Sequence, residues 1–211
     1  MKTMIHEEVF RGEQALVKMA SQNIFVCGCG AIGSNLIDNL VRQGFQKITV
    51  LDMDRIEDHN RNTQIWGRRE VGQYKTTAMK HRVYNEMGIQ INEIHQELSE
   101  ETIDKLIPRD ALIIDGFDNT KSRQLLKDHC KKQSIECLHI GLSADYAEIV
   151  WNEEYSVPAQ RGANVCEYPM ARNIALMATT VASEILIRYI LSGKKGDYTI
   201  TLGDFKILSM E

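Results

Sequence analysis

Only three of the 211 residues are proline, and no Gly/Ser-rich or Pro-rich stretch interrupts the chain. No linker between two domains is therefore written in the composition. No internal repeat is visible, which argues against a solenoid or propeller. The opening segment, Met1 to Glu8, lacks the apolar run of a signal peptide. The most apolar segment, Ile174 to Ile190, is cut by Glu184 and Arg188 and carries Thr179, Thr180 and Ser183. It falls short of the ~20 uninterrupted apolar residues of a membrane span. Strong charge of one sign is also missing: 25 basic and 29 acidic side chains leave a net −4. Broad electrostatic binding to nucleic acid or an anionic membrane is not expected. The basic doublets Arg68-Arg69, Lys131-Lys132 and Lys194-Lys195 are scattered along the chain. Five cysteines, an odd number without a signal sequence, fit a reduced cytoplasmic protein.

What is present suits one globular domain over residues 1–211, with 43% hydrophobic and 26% charged residues. Asn23 to Cys27 is a short apolar run and reads as a buried strand. Ile32, Leu36, Ile37, Leu40 and Val41 then recur at helical spacing, and Gly44 stops that helix. Further strands are expected at Lys47 to Asp52, Ile89 to Ile94, Ala111 to Asp115, Ile135 to Ile140 and Tyr146 to Trp151. Helices are expected at Lys75 to Met87, Ser99 to Ile107, Asn119 to Gln133 and Arg172 to Leu191. Two runs around Gly203-Asp204 suggest a final hairpin. The alternation predicts an α/β fold: a doubly wound, Rossmann-like, mainly parallel sheet with a long C-terminal helix and hairpin. Ligand chemistry then belongs on the edge where the parallel strands end.

Gly28, Gly30 and Gly33 form G-x-G-x-x-G between the first strand and the first long helix. The first glycine permits the tight turn, the second lets backbone approach a phosphate, and the third lets helix pack on strand. The helix start offers free N–H groups and about +0.5 charge to an anion. Asp52 ends the second strand, where an acid can bind ribose hydroxyls. This much would equally serve a nicotinamide dehydrogenase. Asp115 and Asp118, at the end of the fourth strand, add hard oxygen ligands of the kind Mg²⁺ takes beside a polyphosphate. Lys75, at the start of a helix facing the same edge, can neutralise phosphate charge. Hydride transfer has no use for that set.

Taken together, Gly28, Gly30, Gly33, Asp52, Asp54, Glu57, Asn60, Gln64, Val71, Gly72, Lys75, Asp115, Asp118, Asn119 and Arg123 stand in the order and spacing of a known pattern. From about His6 to Ile190 the chain resembles the ubiquitin-activating-enzyme-like adenylating family, the ThiF/MoeB/HesA group. That resemblance implies ATP and Mg²⁺ as ligands. It implies ribose binding by Asp52, phosphate contacts by Asn60 and Lys75, and Mg²⁺ on Asp118. Gly28, Gly30, Ala31, Gly33, Asp54, Gln64 and Asp115 complete the implied nucleotide-binding set. The family draws an arginine from the partner subunit of a homodimer, and Arg11 is the candidate.

Three departures stand out. Thr63 occupies the position of the family's catalytic arginine, and Arg61 lies two residues earlier as a substitute. Ala31 replaces one loop glycine. The paired C-x-x-C motifs that bind zinc in many members are absent, so no zinc is expected. Cys166 lies in the stretch where family members carry an acyl-accepting cysteine. It precedes a helix whose N-terminus lowers a thiol pKa, with Glu167 opposing. The resemblance implies ATP-dependent activation of the C-terminal carboxylate of a ubiquitin-like or sulfur-carrier protein ending in glycine. The alternatives are an adenylator of a peptide or small carboxylate, and a catalytically weak nucleotide-binding scaffold subunit.

Overall fold

The computed structural model describes residues 2–158 and 169–210. Two N-terminal helices, α1 (Ile5–Arg11) and α2 (Glu13–Ser21), precede the first strand. The chain then runs β1 (Asn23–Cys27), α3 (Ala31–Gln43), β2 (Lys47–Leu51), α4 (Lys75–Met87), β3 (Asn92–Ile94), α5 (Ile103–Leu106) and β4 (Leu112–Asp115). It continues with α6 (Thr120–Gln133), β5 (Cys137–Ser143), β6 (Tyr146–Trp151), α7 (Arg172–Ser192), β7 (Asp197–Thr201) and β8 (Lys206–Met210).

The strands form one sheet in the order β3-β2-β1-β4-β5-β6-β7-β8. The five strands from β3 to β5 are mutually parallel, and β6, β7 and β8 add on antiparallel. Strand order reverses at β1, so the crevice between the ends of β1 and β4 is the switch point where such sheets bind ligands. Period-two alternation sorts β1 between two cores: Ile24 and Val26 face one side, Phe25 and Cys27 the other. The first core is roofed by α2, α3, α4 and α7 through Leu16, Leu36, Leu40, Met79, Ala178 and Leu186. The second is smaller and is roofed by α5 and α6 through Ile103, Leu126 and Cys130.

By length and composition α7 would also pass for a membrane span, with mean hydropathy 1.6, yet half of that window is buried in the fold. Helices α3, α4 and α7 end at Gly44, Gly88 and Gly193, as the sequence indicates. Three local differences appear. The helix expected from Ser99 starts only at Ile103, because Ser99 donates its backbone N–H to Thr102 Oγ1 and holds a turn. The strand expected from Ile89 contracts to Asn92–Ile94, and the fifth strand extends to Ser143 through its pairing with β6. The reading of elements also missed α1 and α2, although Ala15, Leu16 and Met19 lie on one buried helical face.

Candidate nucleotide site

The glycine loop is closed by backbone contacts. Gly28 turns at φ +92°, and a Cβ there would lie 2.9 Å from Gly116 O. A Cβ on Gly33 would lie 1.9 Å from Gly28 O, an impossible approach. Gly116 donates its N–H to Cys27 O at 2.8 Å, and Gly28 donates to Leu51 O at 2.8 Å. The ends of β1, β2 and β4 are thus laced together. Gly30 differs: an added Cβ meets nothing nearer than Gln64 Nε2 at 3.9 Å. It caps α3 without a side-chain hydrogen bond, and α3 has no acid in its first turn. In that turn the buried Ser34 Oγ lacks a hydrogen-bond partner. The helix start therefore presents unmatched positive ends to the crevice, and the loop fits a phosphate.

Asp52 lies beside it, 8% exposed. Its carboxylate accepts from Cys29 N–H at 2.6 Å and from Asp54 N–H at 2.7 Å. Burial pushes its pKa up, against the charge of Lys75 and the two amides that pull it down, and burial prevails. Lys75 opens α4 with its side chain 9% exposed and its Nζ 2.9 Å from Asp54 Oδ2. Burial would lower it, but Asp52 and Asp54 outweigh that and hold the ammonium charged. Asp52, Asp54, Lys75 and the glycine loop are assembled at one point, drawn from three elements.

The segment after β2 folds over α3. A short 3-10 helix at Asp58–Asn62 starts with Asn60 Oδ1 accepting from Glu57 N–H at 2.8 Å. Asn35 Nδ2 donates to Thr63 O at 2.9 Å and to Ala31 O at 2.7 Å, strapping this segment to the start of α3. Gln64 is buried and accepts from Trp66 Nε1 at 2.5 Å, with its Nε2 toward Gly30. Arg61 turns into an exposed pair with Asp58 at 2.6 Å. Among the described residues it is engaged there, outside the Asp52–Lys75 cluster.

The fourth-strand motif divides. Asp118 is exposed, and Asn119 caps α6 by accepting from Ser122 N–H at 2.8 Å. Asp115, expected among the nucleotide ligands, is 0% exposed and has a protein partner on each oxygen. It accepts from Phe117 N–H at 3.0 Å and from His139 Nδ1 at 2.7 Å, and Arg123 lies 3.8 Å away. Burial alone would raise its pKa. The charge of Arg123 and the His139 hydrogen bond outweigh it and hold the carboxyl below its usual range. His139 Nε2 lies 2.7 Å from Asn152 Oδ1, and the ring stacks on Tyr155 at 3.9 Å between centroids. Arg123 donates to Tyr155 Oη at 2.8 Å and to Ile140 O at 2.7 Å. Nothing in the spacing of His139 marks it as a functional residue. The signal was a lone histidine in an apolar strand, which β4–β5 pairing sets directly beside Asp115.

Arg11 lies apart from the loop of its own chain, paired with Glu7 at 2.5 Å and with Glu184 on α7. Cys27, Cys29, Cys130 and Cys137 are buried free thiols. Burial pushes Cys27, Cys29 and Cys137 well up, which makes them inert space-fillers. Cys166 lies outside the described residues. Among the described residues no cluster of His, Cys, Asp or Glu could by itself hold a metal.

The fold and loop define a doubly wound, Rossmann-like α/β protein with a glycine loop of the nucleotide-binding kind. The model of the ThiF family matches residues 3–198, and the chain belongs to that family. It is 31% identical over 130 residues to a tRNA threonylcarbamoyladenosine dehydratase of Haemophilus influenzae, covering 60% of this chain and 50% of that protein. It is 28% identical over 142 residues to the SUMO-activating enzyme subunit 2 of Dictyostelium discoideum, covering 65% and 21%. The chain thus spans half or less of the length of these relatives. Escherichia coli MccB with ATP shares the fold, with TM-score 0.81 and 19% identity over 98% of this chain and 69% of that one.

Proposed function

We propose that the chain is an ATP-dependent adenylyltransferase that activates the C-terminal carboxylate of a ubiquitin-like or sulfur-carrier protein. The observation that carries this reading is the uncapped start of α3 at Gly30, with buried, charged Lys75 on one side and Gly116, two residues before Asp118, packed against Ile32 and Gly33. A carboxylate oxygen of the tail attacks the α-phosphorus of ATP. The bond to the bridging oxygen breaks, pyrophosphate leaves, and an acyl-adenylate forms. The α3 amides and Lys75 hold the phosphates in line and balance their charge, so positioning and electrostatics carry the rate. Asp52 holds the ribose. Asp118 would hold Mg²⁺, which supplies further charge neutralisation to the polyphosphate. In a homodimer Arg11 would reach the neighbouring site by leaving Glu184 for the partner, and Cys166 would receive the acyl group where a thioester follows.

A second reading, activation of a small or nucleoside-borne carboxylate, is favoured by the likeness to the tRNA threonylcarbamoyladenosine dehydratase. The net charge of −4 weighs against a large polyanionic substrate. ATP–pyrophosphate exchange distinguishes the two when glycine-ended carrier proteins, short peptides and threonylcarbamoyladenosine are supplied in turn. Exchange with a carrier protein, lowered about 10²–10³-fold by Asp118→Ala, is expected. Exchange with the nucleoside alone moves the assignment to the second reading, and exchange with none overturns both.

A further inference from the structure

Two arginines near the crevice have no carboxylate partner among the described residues: Arg55, next to Asp54, which donates to Gly72 O at 2.8 Å and lies over the Tyr74 ring, and Arg172. Lys75 is paired with Asp54, Arg61 with Asp58, and Arg11 with Glu7 and Glu184. Arg172 has no carboxylate partner among the described residues. Its Nη1 donates to a backbone carbonyl, Asn62 O, at 3.1 Å, and the side chain is otherwise exposed. Asn62 adjoins Thr63, whose own carbonyl is strapped by Asn35 to the first turn of α3.

The place of Arg172 in the fold follows from two further contacts. Residues 169–171 meet the β5–β6 turn on the ligand edge of the sheet: Ala144 donates to Pro169 O at 2.9 Å and Ala171 to Ala144 O at 3.0 Å. Lower down, Asn39 on α3 donates to Ser183 on α7 at 2.9 Å. At 1.5 Å per residue, Ser183 lies about 16 Å down α7 from Arg172, whereas Asn39 lies about 12 Å down α3 from Ala31. Helices α3 and α7 both begin at this edge, and Arg172 stands about one turn above the start of α3. A cation in the first turn opposes the helix dipole, and α7 has neither an acid there nor a side-chain cap to offset it. Helix stability does not account for this arginine; an anion between the two helix starts would.

We infer that Arg172, reaching across from α7 to the Asn62–Thr63 segment, is a triphosphate-binding residue of this site, delivering the charge that Arg61 spends on Asp58. The inference rests on the nucleotide reading above. Its guanidinium contacts the phosphates beyond the one held at Gly30 and retains the Asn62 carbonyl as its anchor. An arginine at position 63 would deliver the same charge from the adjoining backbone.

Equilibrium binding of ATP and of adenosine to the full chain tests this by calorimetry. Arg172→Ala is expected to weaken ATP about ten- to a hundredfold, the range of a charged hydrogen bond, and to leave adenosine within about twofold. Arg172→Gln keeps a donor for Asn62 O without the charge and is expected to show the same selective loss. Thr63→Arg in the Arg172→Ala background is expected to restore most of the ATP affinity. Unchanged ATP binding in both Arg172 variants overturns the inference. So do equal losses of ATP and adenosine, which mark a loop anchor, and so does a loss that follows Arg61→Ala instead. Wild-type protein that binds neither ligand overturns the nucleotide reading, and the role of Arg172 with it.

Discussion

Asp52 and Asp115 close the strands on either side of β1, and the sequence presents them as two equivalent acids on one sheet edge. The fold treats them oppositely. Asp52 keeps a trace of exposure, accepts only backbone amides, and has its pKa raised by burial. Asp115 has no exposure, binds His139 and lies beside Arg123, and has its pKa lowered. The Asp52 edge is an open site in which a charge is held at some cost to stability. The Asp115 edge is a closed lock that fixes the Gly116–Asn119 loop from beneath. Both acids have a partner on each oxygen, but Asp52 is held by backbone amides beside the glycine loop and Asp115 by an amide and the buried His139.

The contrast is broken most forcefully at Asp115. Asp115→Ala strips the counter-charge from buried Arg123 and the acceptor from His139, and is expected to cost about 3–5 kcal/mol. Urea denaturation measures it, and a loss under about 1 kcal/mol would show that the lock is ornamental. Asp52→Asn is expected to cost less, about 1–2 kcal/mol, since one acceptor oxygen survives for the amides. It should weaken ATP and adenosine alike, because the ribose is common to both, unlike the phosphate-selective effect expected at Arg172. Equal stability losses at the two acids would erase the distinction.

The smallest effect is in the pH dependence. A depressed carboxyl stabilises fully above its unfolded pKa of about 3.9 and loses that contribution as pH falls through its folded value. Asp115 therefore steepens acid unfolding below about pH 4, and Asp115→Asn should flatten that limb. Asp52 has the opposite sign. Its raised folded pKa makes stability decline as pH rises from about 3.9 through that value, and Asp52→Asn should remove the decline. Denaturation midpoints from about pH 3 to 6 read both slopes, and slopes of one sign would refute the assignment.

Much of this was legible in the chain. The run Asn23 to Cys27, the three glycines and the helical spacing from Ile32 to Val41 are consecutive residues, and local periodicity encodes a strand, a turn and a helix wherever it occurs. Asp52 and Lys75 follow as strand and helix ends. The fate of Asp115 was not legible, because its partners depend on parallel register, which pairs it with His139, and on α6, which brings Arg123 back toward it. Arg61 could not be placed either, since three-residue spacing to Asp58 offers a local pair that competes with any ligand.

The sequence by itself determined the ThiF-type core, the phosphate loop and the acid and lysine that flank it, because each is specified within one strand–turn–helix unit. Tertiary structure alone decided which acid is enclosed by His139 and Arg123 and which stands beside the glycine loop. It also brought Arg172 to the carbonyl of Asn62, 110 residues away. Contacts of that separation are set by strand order and by where α7 begins on the sheet edge, and no run of neighbouring residues records them.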